Sequence, residues 1–362
     1  MKPLYVVGTQ RDVGKTTFCI GLISALRERG LRVGYTKPLG QRITTVDGRA
    51  IHDDALVVSR VMNMRDPESA AVPLTRGRVE KEIFDLRVPD LAEKVSAVCR
   101  RLGEQNDAVV IEGMGNVAMG SCLQLSAADV ARIVGARSLL IAGGGIGRTI
   151  DEIALCATFL DARQAHLIGA VINKVWAEKY RRVHDATTQG LANLGIRSFG
   201  TIPYEEVLAC PTIAQVAEQL GAEVLCGADG LANRVVHTIV AAMEPHHVVS
   251  YLKDRTLVIT PGDRSDNILA IITTHALAPA GQPPLSGIVL TCGFRPPREI
   301  LSLMANSGLP ALLCQEDTYT TATKLRQTVF KITPDDHERI EAAKCLVTEY
   351  VDVDGLVAGL QE

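Results

Sequence analysis

Aromatic side chains are scarce in this sequence: they make up 4% of its 362 residues, and tryptophan occurs once. A core made from such a chain is mainly aliphatic, which suits buried parallel strands covered by helices. Long apolar runs are missing too. None approaches the ~18 residues of a membrane span, so no membrane-spanning role is expected. Neither charge sign is in excess: 38 Lys plus Arg stand against 41 Asp plus Glu, a net charge of -3. That balance argues against nucleic acid or a membrane surface as partner. The nine cysteines are scattered, with no C-x-x-C pair and no histidine at zinc-ligand spacing. An odd number of isolated thiols favours a reducing compartment. The opening "MKPLYVVGTQ" enters an apolar run at once, leaving no room for a signal peptide. A cytoplasmic protein is expected.

What is present is alternation. Strand candidates are Leu4–Val7, Arg32–Thr36, Ala108–Glu112, Ser138–Ala142, Leu167–Asn173 and Ser198–Ile202. Between them, Lys15–Arg29, Asp53–Met62, Asp90–Gly103, Ala127–Val134, Thr149–Leu160 and Ala177–Leu194 read as helices. Such alternation implies right-handed crossovers and an α/β fold, with a parallel sheet covered on both faces. Ser126 is a candidate N-cap, with Asp129 in the first turn. After "GTIPYEEVLACPT" a fresh helix starts, and a smaller α/β unit follows, with the surface connection Ala278–Gly287 inside it. The tail reads as one long helix, with Thr333 as N-cap and Pro334 at its first position. The expected division is therefore 1–208, 209–330 and a C-terminal helix over 331–362. No internal repeat or low-complexity tract is visible.

The stretch "GTQRDVGKTT", Gly8 to Thr17, follows the first strand candidate and ends as a phosphate-binding loop ends. Five residues separate Gly8 from Gly14, where the standard pattern has four. A strand, a glycine loop and a helix opening at Lys15 gather backbone N–H groups around an anion. Lys15 would then reach the terminal phosphates, and the Thr16 hydroxyl would bind Mg²⁺. The alternative is a plain glycine turn with a lysine in the first helical turn. It leaves a cation opposing the helix dipole with no anion to explain it.

The form Gly8-Thr9-x-x-x-Val13-Gly14-Lys15-Thr16 resembles the phosphate loop of dethiobiotin synthetases and their relatives. The resemblance continues through "YTKPLG" (Tyr35–Gly40), "DDALV" (Asp53–Val57), "VVIEGMGN" (Val109–Asn116), "GAVINKV" (Gly169–Val175) and "GTIPY" (Gly200–Tyr204). It implies a nucleotide site that uses Gly8, Thr9, Asp12, Val13, Gly14, Lys15, Thr16 and Thr17, with Asn173 on the base side. It also implies Mg²⁺ held by Thr16, Asp54 and Glu112, three hard oxygen ligands. The alternative reading of Asp54 is a helix-start acid favoured by the dipole, and Asp53 beside it blurs the choice. Lys37 matches the lysine that neutralises substrate and phosphate charge, so Lys15 and Lys37 are the candidate catalytic residues. Adenine is favoured over guanine, because Trp176 stands where guanine-specific relatives carry an aspartate. The glycines of "IAGGGIGRTIDEI" read as close backbone packing.

The chain departs from dethiobiotin synthetases on the substrate side. Gln10-Arg11-Asp12 stands in place of a small hydroxyl residue, and Leu39-Gly40-Gln41-Arg42 lacks the substrate-contacting serine. The loops Gln10–Asp12, Lys37–Arg42 and Met114–Ser121 carry no obvious base or nucleophile positioner. From about Thr212 to Arg326 the chain resembles the DRTGG domain. There "GDRSDN" (Gly262–Asn267) keeps Asp-Arg, and Asp263 and Arg264 could bind a small anion or pair with each other. The combination resembles the N-terminal region of long phosphotransacetylases, and no acyltransferase domain is expected in the sequence. The adjacent His246 and His247 point about 100° apart on a helix and should not chelate one ion together. The expectation is an Mg²⁺-ATP-binding regulatory module with slow ATPase activity at most. It would act as a homodimer with a metabolic enzyme as possible partner. The alternative is an ATP-dependent ligase, of the dethiobiotin synthetase or cobyrinic acid amide synthase type, acting through an acyl phosphate.

Overall fold

A computed structural model describes residues 1–40, 43–46, 49–64, 72–73, 88–278 and 285–361. It divides the chain into two units: Met1–Leu208 with Ile332–Glu362, and Ala209–Lys331.

The strands of the first unit are β1 (Leu4–Gly8), β2 (Val33–Thr36), β3 (Leu39–Gly40), β4 (Ile43–Val46) and β5 (Arg49–His52). They continue as β6 (Val72–Pro73), β7 (Ala108–Glu112), β8 (Arg137–Gly143), β9 (His166–Val175) and β10 (Ser198–Pro203). Six of them form one parallel sheet in the order β10-β9-β8-β1-β7-β2. The two short pairs β3–β6 and β4–β5 lie outside it, and no hydrophobic alternation announces them. Side chains alternate across the sheet with period two. Leu4 and Val6 enter one core layer with Phe18, Leu22 and Ile23, while Tyr5 and Val7 enter the other with Val95, Val130 and Ile153. Both faces of β1 are therefore apolar, as a central parallel strand requires. Ser126 caps the helix Ala127–Ile133: its Oγ accepts the Asp129 N–H, and its own backbone N–H donates to the Asp129 carboxylate, a complete capping box.

The tail differs from its expected form. Asp336, not Thr333, caps the helix His337–Tyr350, its carboxylate accepting from the Arg339 N–H. A second helix spans Val353–Gln361. The break has a physical cause: Val351 bridges to Gly200, and the Asp352 N–H donates to the Phe199 carbonyl at 2.7 Å. Pairing with β10 takes those backbone groups out of the helix. Residues 332–361 thus complete the first unit. Their helix packs so closely on Lys15–Glu28 that a Cβ at Gly21 would lie 2.4 Å from the Ala343 carbonyl oxygen. Arg339 is fully buried, and its guanidinium donates to the Leu208 carbonyl at 3.1 Å.

The second unit carries β11 (Glu223–Cys226), β12 (His237–Val240), β13 (Thr256–Pro261), β14 (Gly287–Thr291) and β15 (Ala311–Leu313). Their order is β11-β15-β14-β13-β12, parallel except for β11 against β15. Two aliphatic layers cover its faces. Part of the connection Ala278–Gly287 lies outside the described residues, as do Gln41 and Arg42.

Candidate functional site

β1 stops at Gly8, where a Cβ would lie 2.6 Å from the Gln10 carbonyl oxygen and 2.8 Å from that of Gly115. Only glycine fits between these backbones. The loop then turns back through Asp12 (φ 57°) and Gly14 (φ 92°), both in the left-handed region. The first intrahelical bond is Phe18 N–H to the Gly14 carbonyl. The N–H groups of Lys15, Thr16 and Thr17 therefore have no acceptor within the helix. Three contacts fix the loop. The Thr9 N–H donates to Ile141 O at 3.0 Å, Asn173 Nδ2 to Val13 O at 2.8 Å, and Lys174 Nζ to Asp12 O at 2.6 Å.

On the β7–β2 side of the loop, buried charge collects. Glu112 ends β7 and is 1% exposed; Lys37, just past β2, is 9% exposed. Lys37 Nζ donates to Glu112 Oε1 at 2.8 Å and also meets Asp54. Thr16 Oγ1 donates to the same Glu112 oxygen at 2.8 Å, and the Tyr35 hydroxyl donates to the other at 2.7 Å. Burial pushes the Lys37 ammonium down, but Glu112 and Asp54 outweigh it and hold the group above its ordinary value. Lys15 goes the other way. Burial lowers it and Lys37 adds to that, with Glu112 only partly opposing. Burial and the neighbouring Glu112 charge keep Tyr35 protonated, which suits its role as donor.

Thr16, Lys37, Asp54 and Glu112, taken from four separate motifs, are thus brought together, and of the two adjacent acids it is Asp54 that meets Lys37. Asn173 is placed differently from a free base reader. Its amide nitrogen holds the Val13 carbonyl, and its oxygen accepts the Lys174 N–H at 2.9 Å. Tyr35 and Lys174 were missed by sequence reasoning. Tyr35 stands two residues before Lys37 on one strand, hence on the same face, and that spacing was the available signal. Gly144 lies against the Lys174 carbonyl, 2.7 Å from where a Cβ would be, so the glycine run serves backbone packing. In the second unit Arg264 pairs with Asp266, not Asp263, through two bonds of 2.9 Å. Among the described residues, no group of three or more His, Cys, Asp or Glu side chains is placed to hold a metal. The donor set of two carboxylates and one hydroxyl still fits Mg²⁺, which commonly takes only one or two carboxylates beside phosphate oxygens.

Comparison with known proteins agrees with this division. Residues 215–328 match the DRTGG domain, and residues 2–212 match an AAA domain. A phosphate acetyltransferase of Pseudomonas putida is 30% identical over 366 residues, covering 97% of this chain and 51% of the relative. One from Nitrosomonas europaea is 27% identical over 367 residues, covering 99% and 51%. The chain spans about half the length of the curated relatives it matches. Among solved structures, the MinC:MinD cell division protein complex of Aquifex aeolicus aligns at 14% identity, 57% of this chain and 84% of that one, with a TM-score of 0.39. The pairing of a P-loop domain with a DRTGG domain expected from the motifs is therefore present, and with the AAA domain match covering more than half its length, the chain belongs to the AAA domain family.

Proposed function

We propose that this chain binds Mg²⁺-ATP at Gly8–Thr17 and works as a nucleotide-responsive regulatory module, with slow hydrolysis at most. The observation that carries the reading is the buried Lys15 at the start of the helix Lys15–Glu28. A cation there opposes the helix dipole and loses hydration, and a triphosphate would offset both costs. Thr16, Asp54 and Glu112 would hold Mg²⁺. When bound, the ion supplies charge neutralisation at the phosphate oxygens. Lys37 lies between the two carboxylates, and its charge stays next to the phosphate site. The curated relatives bear the name phosphate acetyltransferase over about twice this length. We therefore assign an acyl-transferring metabolic enzyme as the partner class. Closed two-fold symmetry is the commonest soluble arrangement, so a homodimer is the expected assembly, to be read by light scattering at micromolar concentration.

Calorimetry with Mg²⁺-ATP tests the reading. Lys15→Ala should lower affinity by about thirtyfold, the ~2 kcal/mol at the low end for a truncated buried charge pair. Equal affinity in both proteins would remove the loop from the account. Regulation has its own readout: nucleotide should alter protease cleavage within Tyr204–Thr212, the stretch leading into the second unit, while phosphate release stays slow. Fast turnover with a carboxylate or amine substrate, lost in Lys37→Ala and without any change in cleavage, would favour a ligase.

A further inference from the structure

The sheet order places β9 and β10 on the opposite side of β1 from Glu112 and Lys37. At the carboxyl ends of these two strands stand Trp176 and Tyr204. Their ring centroids are 4.3 Å apart with planes inclined at 35°, and Trp176 is 57% exposed. The Tyr204 N–H donates to the Val175 carbonyl at 2.7 Å, which fixes the backbone of one ring against the strand carrying the other. The same strand end is tied to the phosphate loop through Asn173 on Val13 and Lys174 on Asp12. An aromatic pair, one ring exposed and the other half-buried, thus shares one sheet edge with the loop, and ligands of open α/β sheets lie at that edge.

Hydrogen-bond reading of a base is poorly supplied here. The Asn173 amide gives one donor hydrogen and one lone pair to the protein backbone, which leaves it one of each, and the position that could carry a base-reading acid holds Trp176. Flat aromatic surface is what remains, and stacking accepts any base because every base has a π face. We propose that Trp176 and Tyr204 form a stacking platform for the nucleobase of the nucleotide bound at Gly8–Thr17. The site would then take purine nucleoside triphosphates with little discrimination between adenine and guanine. This widens the Mg²⁺-ATP reading of the loop, on which it rests, to both purines.

Trp176 is the only tryptophan of the chain, so intrinsic fluorescence reports the platform directly. The full chain would be titrated with the Mg²⁺ complexes of ATP, GTP and tripolyphosphate, following fluorescence and heat together. ATP and GTP should both quench Trp176 and bind within about threefold of each other, while tripolyphosphate binds without quenching. Trp176→Leu and Tyr204→Leu should each weaken both nucleotides by about tenfold, within the range found for loss of base–aromatic stacking. Neither should change tripolyphosphate affinity, and Tyr204→Phe should behave as wild type. ATP favoured over GTP by more than tenfold, or unchanged nucleotide affinity in Trp176→Leu, would overturn the platform. If tripolyphosphate binds and the base adds nothing, the platform falls and the loop stands. If none of the three binds, both fall.

Discussion

Both units set parallel strands between two helical layers, but they treat charge differently at the strand ends. In the second unit Arg264, after β13, and Asp317, after β15, each find a partner close by in sequence. Arg264 forks onto Asp266 two residues away, and Asp317 caps its own helix at the Thr320 N–H. The Arg264–Asp266 pair is 33% and 48% exposed, so water already solvates much of it. In the first unit the charges are buried and come from distant parts of the chain. Glu112 meets Lys37 across 75 residues and Thr16 across 96. Desolvating such groups costs several kcal/mol per ion. Under the proposed reading the buried group serves the nucleotide and its metal, a task the exposed Arg264–Asp266 pair does not have.

Stability measurements can break this contrast. The largest effect is expected from Glu112→Gln, which takes the anion from Lys37 and should destabilise the first unit by about 3 kcal/mol. Urea unfolding followed by Trp176 fluorescence reports that unit alone. Asp266→Asn in the second unit should cost less than about 1 kcal/mol by scanning calorimetry, as exposed pairs do. Equal losses would mean that the two edges are alike. A smaller effect sharpens the metal assignment. Asp54→Asn should weaken the Mg²⁺-dependent part of ATP binding by roughly tenfold, about 1.4 kcal/mol, and Asp53→Asn should leave it within about twofold. Calorimetry with and without Mg²⁺ separates the two. The smallest effect concerns acid. The side-chain hydrogen bonds from Arg264 hold the Asp266 carboxyl at about 2. The folded value lies below the unfolded one, so the pair's stabilisation is present above pH ~4 and is lost as pH falls towards 2. Solvent screening keeps it under about 0.5 kcal/mol, so an NMR titration of Asp266, with Arg264→Ala returning it to the ordinary carboxylate range, is the suitable readout.

The parallel sheet was legible because alternation and loop glycines are local signals. Lys15, Thr16, Lys37 and Glu112 were legible because each closes or follows an apolar run, which puts it at one edge of the sheet. Asp54 is chosen over Asp53 only through the resemblance: both open a helix, and it is the third dimension that turns Asp54 towards Lys37. Asn173 could be placed near the end of its strand, but its hold on the Val13 carbonyl spans 160 residues and leaves no trace in spacing. The tail failed as a single helix for a similar reason, since its break is imposed by pairing with β10.

That tail has a consequence for the order in which the protein can be made. Residues 209–331 are spliced into the first unit, so the helix that follows the phosphate loop emerges early and its packing partner only after the inserted segment. A nascent chain that has reached residue 208 has every candidate ligand residue of the site, yet it lacks Ile340, Ala343, Leu346 and Val347 from the layer that holds Phe18, Leu22 and Ile23. Its apolar stripe stays open, a state in which growing chains are prone to aggregate. Closure of the loop-bearing helix therefore reports that the spliced segment has been translated in full.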